Sequence, residues 1–111
     1  MVKSIKEKDF MNEVLGSKDP VIVDLWAPWC QPCKGIAKEL DAVAKSHGDR
    51  VRIVKVNVDE SPSLVSLLEI KSVPTLLFYR GKNFAPISIV GATTARTVVS
   101  RFRLDELPPR S

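Results

Sequence analysis

The residues best suited to do chemistry are two cysteines, Cys30 and Cys33, which lie three positions apart. They belong to the segment Trp29-Cys30-Gln31-Pro32-Cys33-Lys34, and the chain of 111 residues has no other cysteine. Two cysteines are too few for the disulfide framework of a small secreted protein. The pair could be a redox centre, half of a metal site, or two small apolar side chains in the core.

A metal site is one alternative to the redox pair. Structural zinc and iron–sulfur sites usually take four protein ligands. In this chain only His47 could join the two cysteines, unless carboxylates help, so a metal would require two copies of the chain. We therefore predict that the chain binds no metal.

Segments with helical and strand patterns alternate along the chain. Apolar residues at helical spacing predict helices, and nearly continuous apolar runs predict strands that are buried on both faces. These patterns place helices at 7–16, from about 30 to 45, from 62 and from 95, and strands at 21–27, 51–59, 75–79 and 87–90. Strand–helix–strand units form parallel pairs with right-handed crossovers, and the turn near Gly81 adds an antiparallel edge. The sequence therefore predicts one α/β domain over residues 1–111.

The two ends of the chain carry further predictions. Ser4 and Glu7 have the spacing of a capping box for the first helix. The inward face of that helix is predicted to consist of Phe10, Met11, Val14 and Leu15. Residues 107–111 are predicted to form a loose tail.

The predicted elements place the cysteines where a thiol becomes reactive. Cys30 follows the strand at 21–27 and begins the next helix, beyond the carboxyl end of the sheet, where α/β proteins usually have their sites. Free backbone N–H groups and the helix dipole stabilise a thiolate at that position. Cys33 lies one turn further on and is predicted to face inward. Cys30 is therefore predicted to attack a substrate disulfide, and Cys33 to resolve the mixed disulfide.

Four sequence blocks resemble the thioredoxin family over nearly the whole chain. They are VDLWAPWCQPCK at 23–34, VNVD at 56–59, VPTL at 73–76 and VGA at 90–92. The resemblance implies a thioredoxin fold, in which a central mixed β-sheet is flanked by helices on both faces. It also implies a protein dithiol–disulfide oxidoreductase that reduces substrate disulfides. The Cys30–Cys33 disulfide would be its redox centre, with no bound cofactor.

The resemblance assigns roles to Asp24 and Lys55. Asp24 matches the family's buried carboxylate beneath the cysteines, and burial between Val23 and Leu25 would raise its pKa. The carboxylate could then accept a proton from Cys33 as that thiol becomes the attacking thiolate. Lys55 matches the family's lysine near this carboxylate, and we expect it either to snorkel towards solvent or to pair with Asp24.

The resemblance also implies a docking surface for an extended substrate segment. Pro74 matches the family's cis-proline opposite the cysteines, although cis bonds are uncommon even before proline. Backbone groups beside it would pair with the substrate as with an added strand. The residues predicted to contact substrate are Trp29, Gln31, Pro32, Val73, Pro74, Val90, Gly91 and Ala92.

Gln31 departs from the family pattern, which commonly has Gly between the first cysteine and the proline. The two residues between the cysteines help to set the reduction potential. Gln31 is neutral and adds no cation beside the thiolate, and Pro32 is the residue found in reductants. Gln31 therefore keeps open a second hypothesis, an oxidase or isomerase with a higher potential.

Composition and charge limit the kinds of partner that the chain can have. Its 44% hydrophobic and 27% charged residues exclude a wholly disordered or collagen-like chain. No run of about 18 apolar residues predicts a membrane span. The net charge of +4 lies in residues 80–111, which hold 6 basic and 2 acidic groups, whereas residues 1–79 hold 11 of each. No aromatic residues alternate with these arginines, so we predict a solvated surface and no nucleic-acid partner.

The expected partners follow from the resemblance. They are disulfide-containing substrate proteins and a thioredoxin reductase that uses NADPH or ferredoxin. We expect a monomer. We also expect it in the cytoplasm, because the first residues contain no apolar stretch typical of a secretory signal. A third hypothesis is a non-catalytic, thioredoxin-like binding module that docks through the arginines of the last helix.

Overall fold

The computed structural model describes residues 2–111, in which five strands form one mixed sheet. The strands are β1 (Val2–Ser4), β2 (Val21–Trp26), β3 (Arg52–Asn57), β4 (Thr75–Tyr79) and β5 (Ile87–Val90), in the spatial order β1-β3-β2-β4-β5. β1, β3 and β2 are parallel, β4 is antiparallel to β2, and β5 is antiparallel to β4. The predicted mixed sheet with an antiparallel edge is confirmed.

Helices cover both faces of this sheet. The α-helices are α1 (Gln31–His47), α2 (Pro62–Leu67) and α3 (Ala95–Arg101). Shorter 3₁₀ turns span Glu7–Asp9, Val58–Glu60 and Leu104–Glu106, and a π-helical turn spans Met11–Leu15. Alternation along the central strand β2 separates two cores: Ile22 packs with α1 and α3, whereas Val23 packs with α2 and the first helical turns. Asp24, one position further on, therefore shares the α1 face with Ile22.

The first helical segment differs from the predicted helix at 7–16. Phe10 and Val14 are buried as predicted, but Met11 and Leu15 are exposed. The N–H of Gly16 donates to the carbonyl of Met11 at 2.8 Å, five residues back, which makes the turn wider than an α-helical one. The wide turn lets Phe10 and Val14 reach the same core while their neighbours face outward.

The capping box predicted from Ser4 and Glu7 is wrong. Ser4 belongs to β1, a three-residue strand that sequence patterning missed. Glu7 instead accepts a hydrogen bond from the backbone N–H of Leu64 at 2.7 Å, and so satisfies a donor in the first turn of α2. Glu7 therefore ties the amino-terminal segment to α2 rather than capping its own helix.

The tail predicted to be loose is anchored. Leu107 is buried, and the N–H of Arg110 donates to the carbonyl of Asp49 at 2.7 Å. The N–H and hydroxyl of Ser111 both donate to one carboxylate oxygen of Asp19, at 2.9 and 3.0 Å. The hydrogen bond from the N–H of Ser111 is the main cause that lowers the pKa of Asp19 below its usual value. These bonds fix the carboxyl-terminal residues to the loop before β2 and to the loop between α1 and β3.

Removing Arg110 and Ser111 is expected to lower the free energy of unfolding by about 1 kcal/mol, because several hydrogen bonds, most of them exposed, are lost. Urea unfolding of the truncated chain measures this loss. Arg96→Ala is the control, since Arg96 is exposed on α3 and makes no ion pair within residues 2–111. Equal midpoints for the truncated and full chains would contradict the anchoring role.

Candidate active site

The two cysteines form a disulfide at the start of α1, with their Cα atoms 5.4 Å apart. β2 ends at Trp26, and Cys30 is the N-cap residue of α1. The backbone N–H of Cys33 donates to the sulfur of Cys30 at 3.2 Å. The sulfur thus occupies the capping place that Ser or Asp oxygens usually take. The predicted position of Cys30, past a central strand and at a helix amino terminus, is confirmed.

Trp29 is an exposed residue next to the disulfide. Its side chain is 70% exposed, whereas each cysteine is only 4% exposed. The indole N–H donates to both carboxylate oxygens of Asp59, at 3.2 and 3.1 Å. Asp59 therefore fixes the ring of Trp29 beside the cysteines, while Gln31 lies exposed at the first position of α1.

The loop before β4 lies against the disulfide. The Val73–Pro74 peptide bond is cis, which confirms the expectation from the resemblance. Val73 packs on the cluster that holds both cysteines. Within residues 2–111 no hydrogen bond uses the N–H or carbonyl of Val73. Its backbone is therefore free to pair with another chain.

The segment after β5 lies beside this loop. Thr75 and Val90 are register partners in the sheet, and the N–H of Gly91 donates to the carbonyl of Pro74 at 2.9 Å. These two groups are therefore bonded to each other, and the role of Pro74 and Gly91 in substrate binding stays a prediction. Gly91 has a φ of +91°, a conformation that side-chain-bearing residues rarely adopt. Val90 is 64% exposed next to this turn.

Asp24 is a buried acid beneath the cysteines. Its side chain is 2% exposed, and its Oδ1 atom has no hydrogen-bond partner within residues 2–111. Burial removes water from the charged form and raises the pKa of Asp24 to about 7, although the positive charge of Lys55 opposes this shift. Asp24 can therefore bind or release a proton near neutral pH.

Lys55 lies across from Asp24 in the register of β2 and β3. Its Nζ atom lies 5.1 Å from the centre of the Trp26 ring, within the range of a cation–π contact. No ion pair joins Lys55 to Asp24 in the part of the chain that the structure describes. The predicted ion pair with Asp24 is therefore not formed. The ammonium group of Lys55 lies over Trp26 instead and acts on Asp24 through its charge alone.

A cavity of about 200 Å³ brings these groups together. Asp24, Lys55 and both cysteines line it, with Trp26 among the remaining walls. The cavity is large enough for water, which can relay a proton between polar groups that do not touch. The four residues predicted to be catalytic therefore surround one space.

Comparisons with known proteins agree with this geometry. The family model described as thioredoxin matches residues 1–103. The chain belongs to the thioredoxin family. A relative named Thioredoxin 1, from Synechococcus elongatus, is 40% identical over 97 residues, which cover 87% of this chain and 90% of that protein. A relative named Thioredoxin M-type, chloroplastic, from Chlamydomonas reinhardtii, is 41% identical over 96 residues, covering 86% and 68% of the two chains.

A solved thioredoxin has the same fold. Its structure is titled as chloroplastic thioredoxin z with a type-specific target recognition. It aligns with a TM-score of 0.86 and 28% sequence identity, and covers 94% of each chain. The thioredoxin fold predicted from the four sequence blocks is therefore confirmed.

Membership in the thioredoxin family defines the chemistry of the pair. The chain is a dithiol–disulfide oxidoreductase whose redox centre is its own Cys30–Cys33 disulfide. Within residues 2–111, no three His, Cys, Asp or Glu side chains gather as a metal site. No helix in that same range is both long and apolar enough to cross a membrane.

Sequence reasoning missed one member of this thioredoxin site. Asp59 ends the VNVD block, which indicated only the resemblance to the thioredoxin family and no role for Asp59. The carboxylate is bonded to Trp29, thirty positions earlier in the chain. Its position in the 3₁₀ turn that directly follows β3, at the same sheet edge as Cys30, is the signal that could have identified it.

Proposed function

We propose that this thioredoxin reduces protein disulfides, with Cys30 as the attacking residue and Cys33 as the resolving residue. The hydrogen bond from the N–H of Cys33 to the sulfur of Cys30 carries this assignment. A donor at a helix amino terminus stabilises negative charge on sulfur, and the effect acts on the capping cysteine first. The sulfur of Cys30 is therefore the better thiolate of the two.

The reaction proceeds in two exchanges. The Cys30 thiolate attacks one sulfur of the target disulfide, the target S–S bond breaks, and the other target sulfur leaves as a thiolate. Cys33 then loses its proton and attacks the sulfur of Cys30. The second target thiolate leaves, and the Cys30–Cys33 disulfide remains. Two electrons have passed to the target.

Asp24 is the proposed acceptor of the proton of Cys33. Both groups line the same cavity, and a pKa of about 7 suits an acid that exchanges protons at neutral pH. Lys55 adjusts this pKa through its charge. A carboxylate buried without a partner costs stability, and proton transfer is a function that accounts for its presence.

The target segment is proposed to dock between Trp29 and Val90. Both side chains are exposed and apolar, and the backbone of Val73, which packs on the cysteine cluster, makes no hydrogen bond within residues 2–111. An extended target chain would pair with Val73 as an added strand. The other predicted contacts, Gln31, Pro32, Pro74, Gly91 and Ala92, are part of the same proposal.

A thioredoxin reductase is the proposed electron source. Thioredoxins are typically re-reduced by such enzymes, and the relatives reported above support this partner class. The name of the Chlamydomonas relative locates that protein in the chloroplast. A cytoplasmic location, a monomeric state and a single domain over residues 1–111 stay predictions for this chain.

The reduction potential of the Cys30–Cys33 couple tests the reductase assignment. We expect a value close to about −270 mV in thiol–disulfide buffers, as in thioredoxin, because Gln31 adds no charge near the thiolate. The Gln31→Gly variant is the matched control and is expected to agree within about 20 mV. A potential above about −200 mV would instead support the oxidase or isomerase alternative.

A further inference from the structure

A groove beside the redox centre indicates which target disulfides the chain prefers. Its cavity of about 180 Å³ extends from Trp29 along the loop that precedes β4. Val58, Val65, Ile70 and Val73 form apolar walls. We propose that Lys71, on the rim of this groove, makes the chain prefer target disulfides with a carboxylate close to the attacked cysteine. The inference rests on the proposed function, since it concerns which targets the same site reduces.

Lys71 is the charged group that lines this groove. The remaining residues around it are apolar, apart from Ser72. Lys71 is exposed, and within residues 2–111 its side chain makes no hydrogen bond or ion pair. An unpaired ammonium group at the edge of an apolar groove favours a ligand that is apolar and carries a negative charge.

Two carboxylates near this surface, Asp59 and Glu69, form no ion pair with Lys71 within residues 2–111. Both oxygens of Asp59 accept the indole N–H of Trp29, which holds this carboxylate beside the ring. Glu69 lines a second cavity, of about 380 Å³, on the β5 side of the loop. Lys71 lines both cavities. A target chain that crosses the loop from one cavity to the other therefore passes Lys71.

The reach of Lys71 sets where the carboxylate must be. Lys71 lies two positions before Val73, whose free backbone is the proposed pairing edge. Two residues of extended chain span about 7 Å. A long, flexible lysine side chain adds further reach. The matching carboxylate therefore lies within about three residues of the attacked cysteine.

Three synthetic peptide disulfides test this preference. Each is a homodimer of Gly-Val-Cys-Val-Xaa-Gly with an acetylated amino terminus and an amidated carboxyl terminus, so that Xaa (Glu, Gln or Lys) carries its only charge, and the rate of its reduction by the reduced chain is measured at low salt. We expect the Glu peptide to react about 3- to 10-fold faster than the Lys peptide, because exposed ion pairs are weak. The ratio should approach 1 at about 0.5 M salt, which screens such pairs.

Charge reversal at the rim provides the decisive comparison. Lys71→Glu is expected to invert the order of the Glu and Lys peptides, and Lys71→Gln to abolish the preference. Lys82→Glu changes the net charge equally but lies in the loop between β4 and β5, so it should keep the wild-type ratio. An unchanged ratio in Lys71→Glu, or a ratio of 1 in the wild type, overturns the proposal.

A small neutral disulfide separates this inference from the proposed function. The wild type and Lys82→Glu are expected to reduce hydroxyethyl disulfide at equal rates, since that probe carries no charge for Lys71 to select. Reduction of hydroxyethyl disulfide with a peptide ratio of 1 rejects the Lys71 preference alone. Failure to reduce either hydroxyethyl disulfide or the peptides rejects the proposed function as well.

Discussion

Replacing Cys30 by serine is expected to lower disulfide reduction by about a thousandfold or more. The variant loses the only group that the proposed mechanism uses to attack a target, and a serine hydroxyl is a poor nucleophile at neutral pH. Turnover of a disulfide-bonded protein substrate, with dithiothreitol as the final reductant and its uncatalysed rate subtracted, measures the loss. Cys33→Ser is expected to lose turnover to a similar extent but for a different reason.

The two variants differ in whether a mixed disulfide with the target accumulates. Cys33→Ser keeps the Cys30 thiolate and should therefore be trapped as a mixed disulfide with its target, because the resolving thiol is missing. Cys30→Ser should trap none. Mass spectrometry after non-reducing separation detects the adduct. Trapping by Cys30→Ser in place of Cys33→Ser would show that the two roles are reversed.

The double serine variant addresses the binding-module alternative. It keeps the fold and the docking surface but has no thiol, so it should neither reduce nor trap a target. If cells that depend on this chain grew normally with the double variant, its function would be docking rather than catalysis. Loss of growth supports the oxidoreductase.

The second large effect is the pH dependence of stability that Asp24 imposes. In the folded chain the pKa of Asp24 is about 7, because burial penalises the charged form, whereas an exposed aspartate has a pKa near 4. Between these values the folded state holds a proton that the unfolded state has released. The free energy of unfolding therefore falls as the pH rises from about 4 to about 7, and the loss is complete above about 7.

Asp24→Asn should remove this dependence. A shift of roughly three pKa units corresponds to about 4 kcal/mol. The stability of the variant relative to the wild type should thus increase by about 3–4 kcal/mol between pH 4 and pH 8. Any loss in the free energy of unfolding that the unpartnered amide of Asp24→Asn causes is the same at both pH values. Urea unfolding of the oxidised chains at pH 4, 6 and 8 provides the measurement.

Asp41→Asn is the matched control, since Asp41 is exposed on α1. It removes one carboxylate from the chain without removing a buried one. The pH dependence found for Asp24→Asn beyond that of Asp41→Asn is the part that burial of the carboxylate causes. If Asp24→Asn showed a constant difference from pH 4 to pH 8, Asp24 would be ionised throughout, and its role as proton acceptor at neutral pH would fail.

Much of this site was predictable because its parts are local in sequence. The run at 21–27 is apolar enough to identify a strand buried on both faces, and Cys30 follows it directly. Pro32 suits the first turn of a helix and indicates where α1 begins. The burial of Asp24 follows from its apolar neighbours in the same strand. These inferences needed only patterns a few residues long.

The remaining features depend on contacts between distant segments. Asp59 meets Trp29 only after β3 has aligned with β2, and no local pattern indicates an indole bound to a carboxylate. The cis bond at Pro74 was expected from family resemblance rather than from physical pattern. The anchored tail was missed because Ser111 is bonded to Asp19, 92 positions earlier. Side-chain bonds of this kind have no periodicity from which to predict them.

The central place of β2 determines what has to move during turnover. Each residue from Val21 to Leu25 has a register partner in β3 on one side and in β4 on the other. The amide protons of this strand are thus shielded from exchange with solvent unless the whole sheet opens. Asp24 belongs to this strand, and Cys30 is joined to it by a short loop. Electron transfer therefore changes the bonding of two sulfur atoms of the chain and moves one proton. It does not require β2 to separate from β3 or β4.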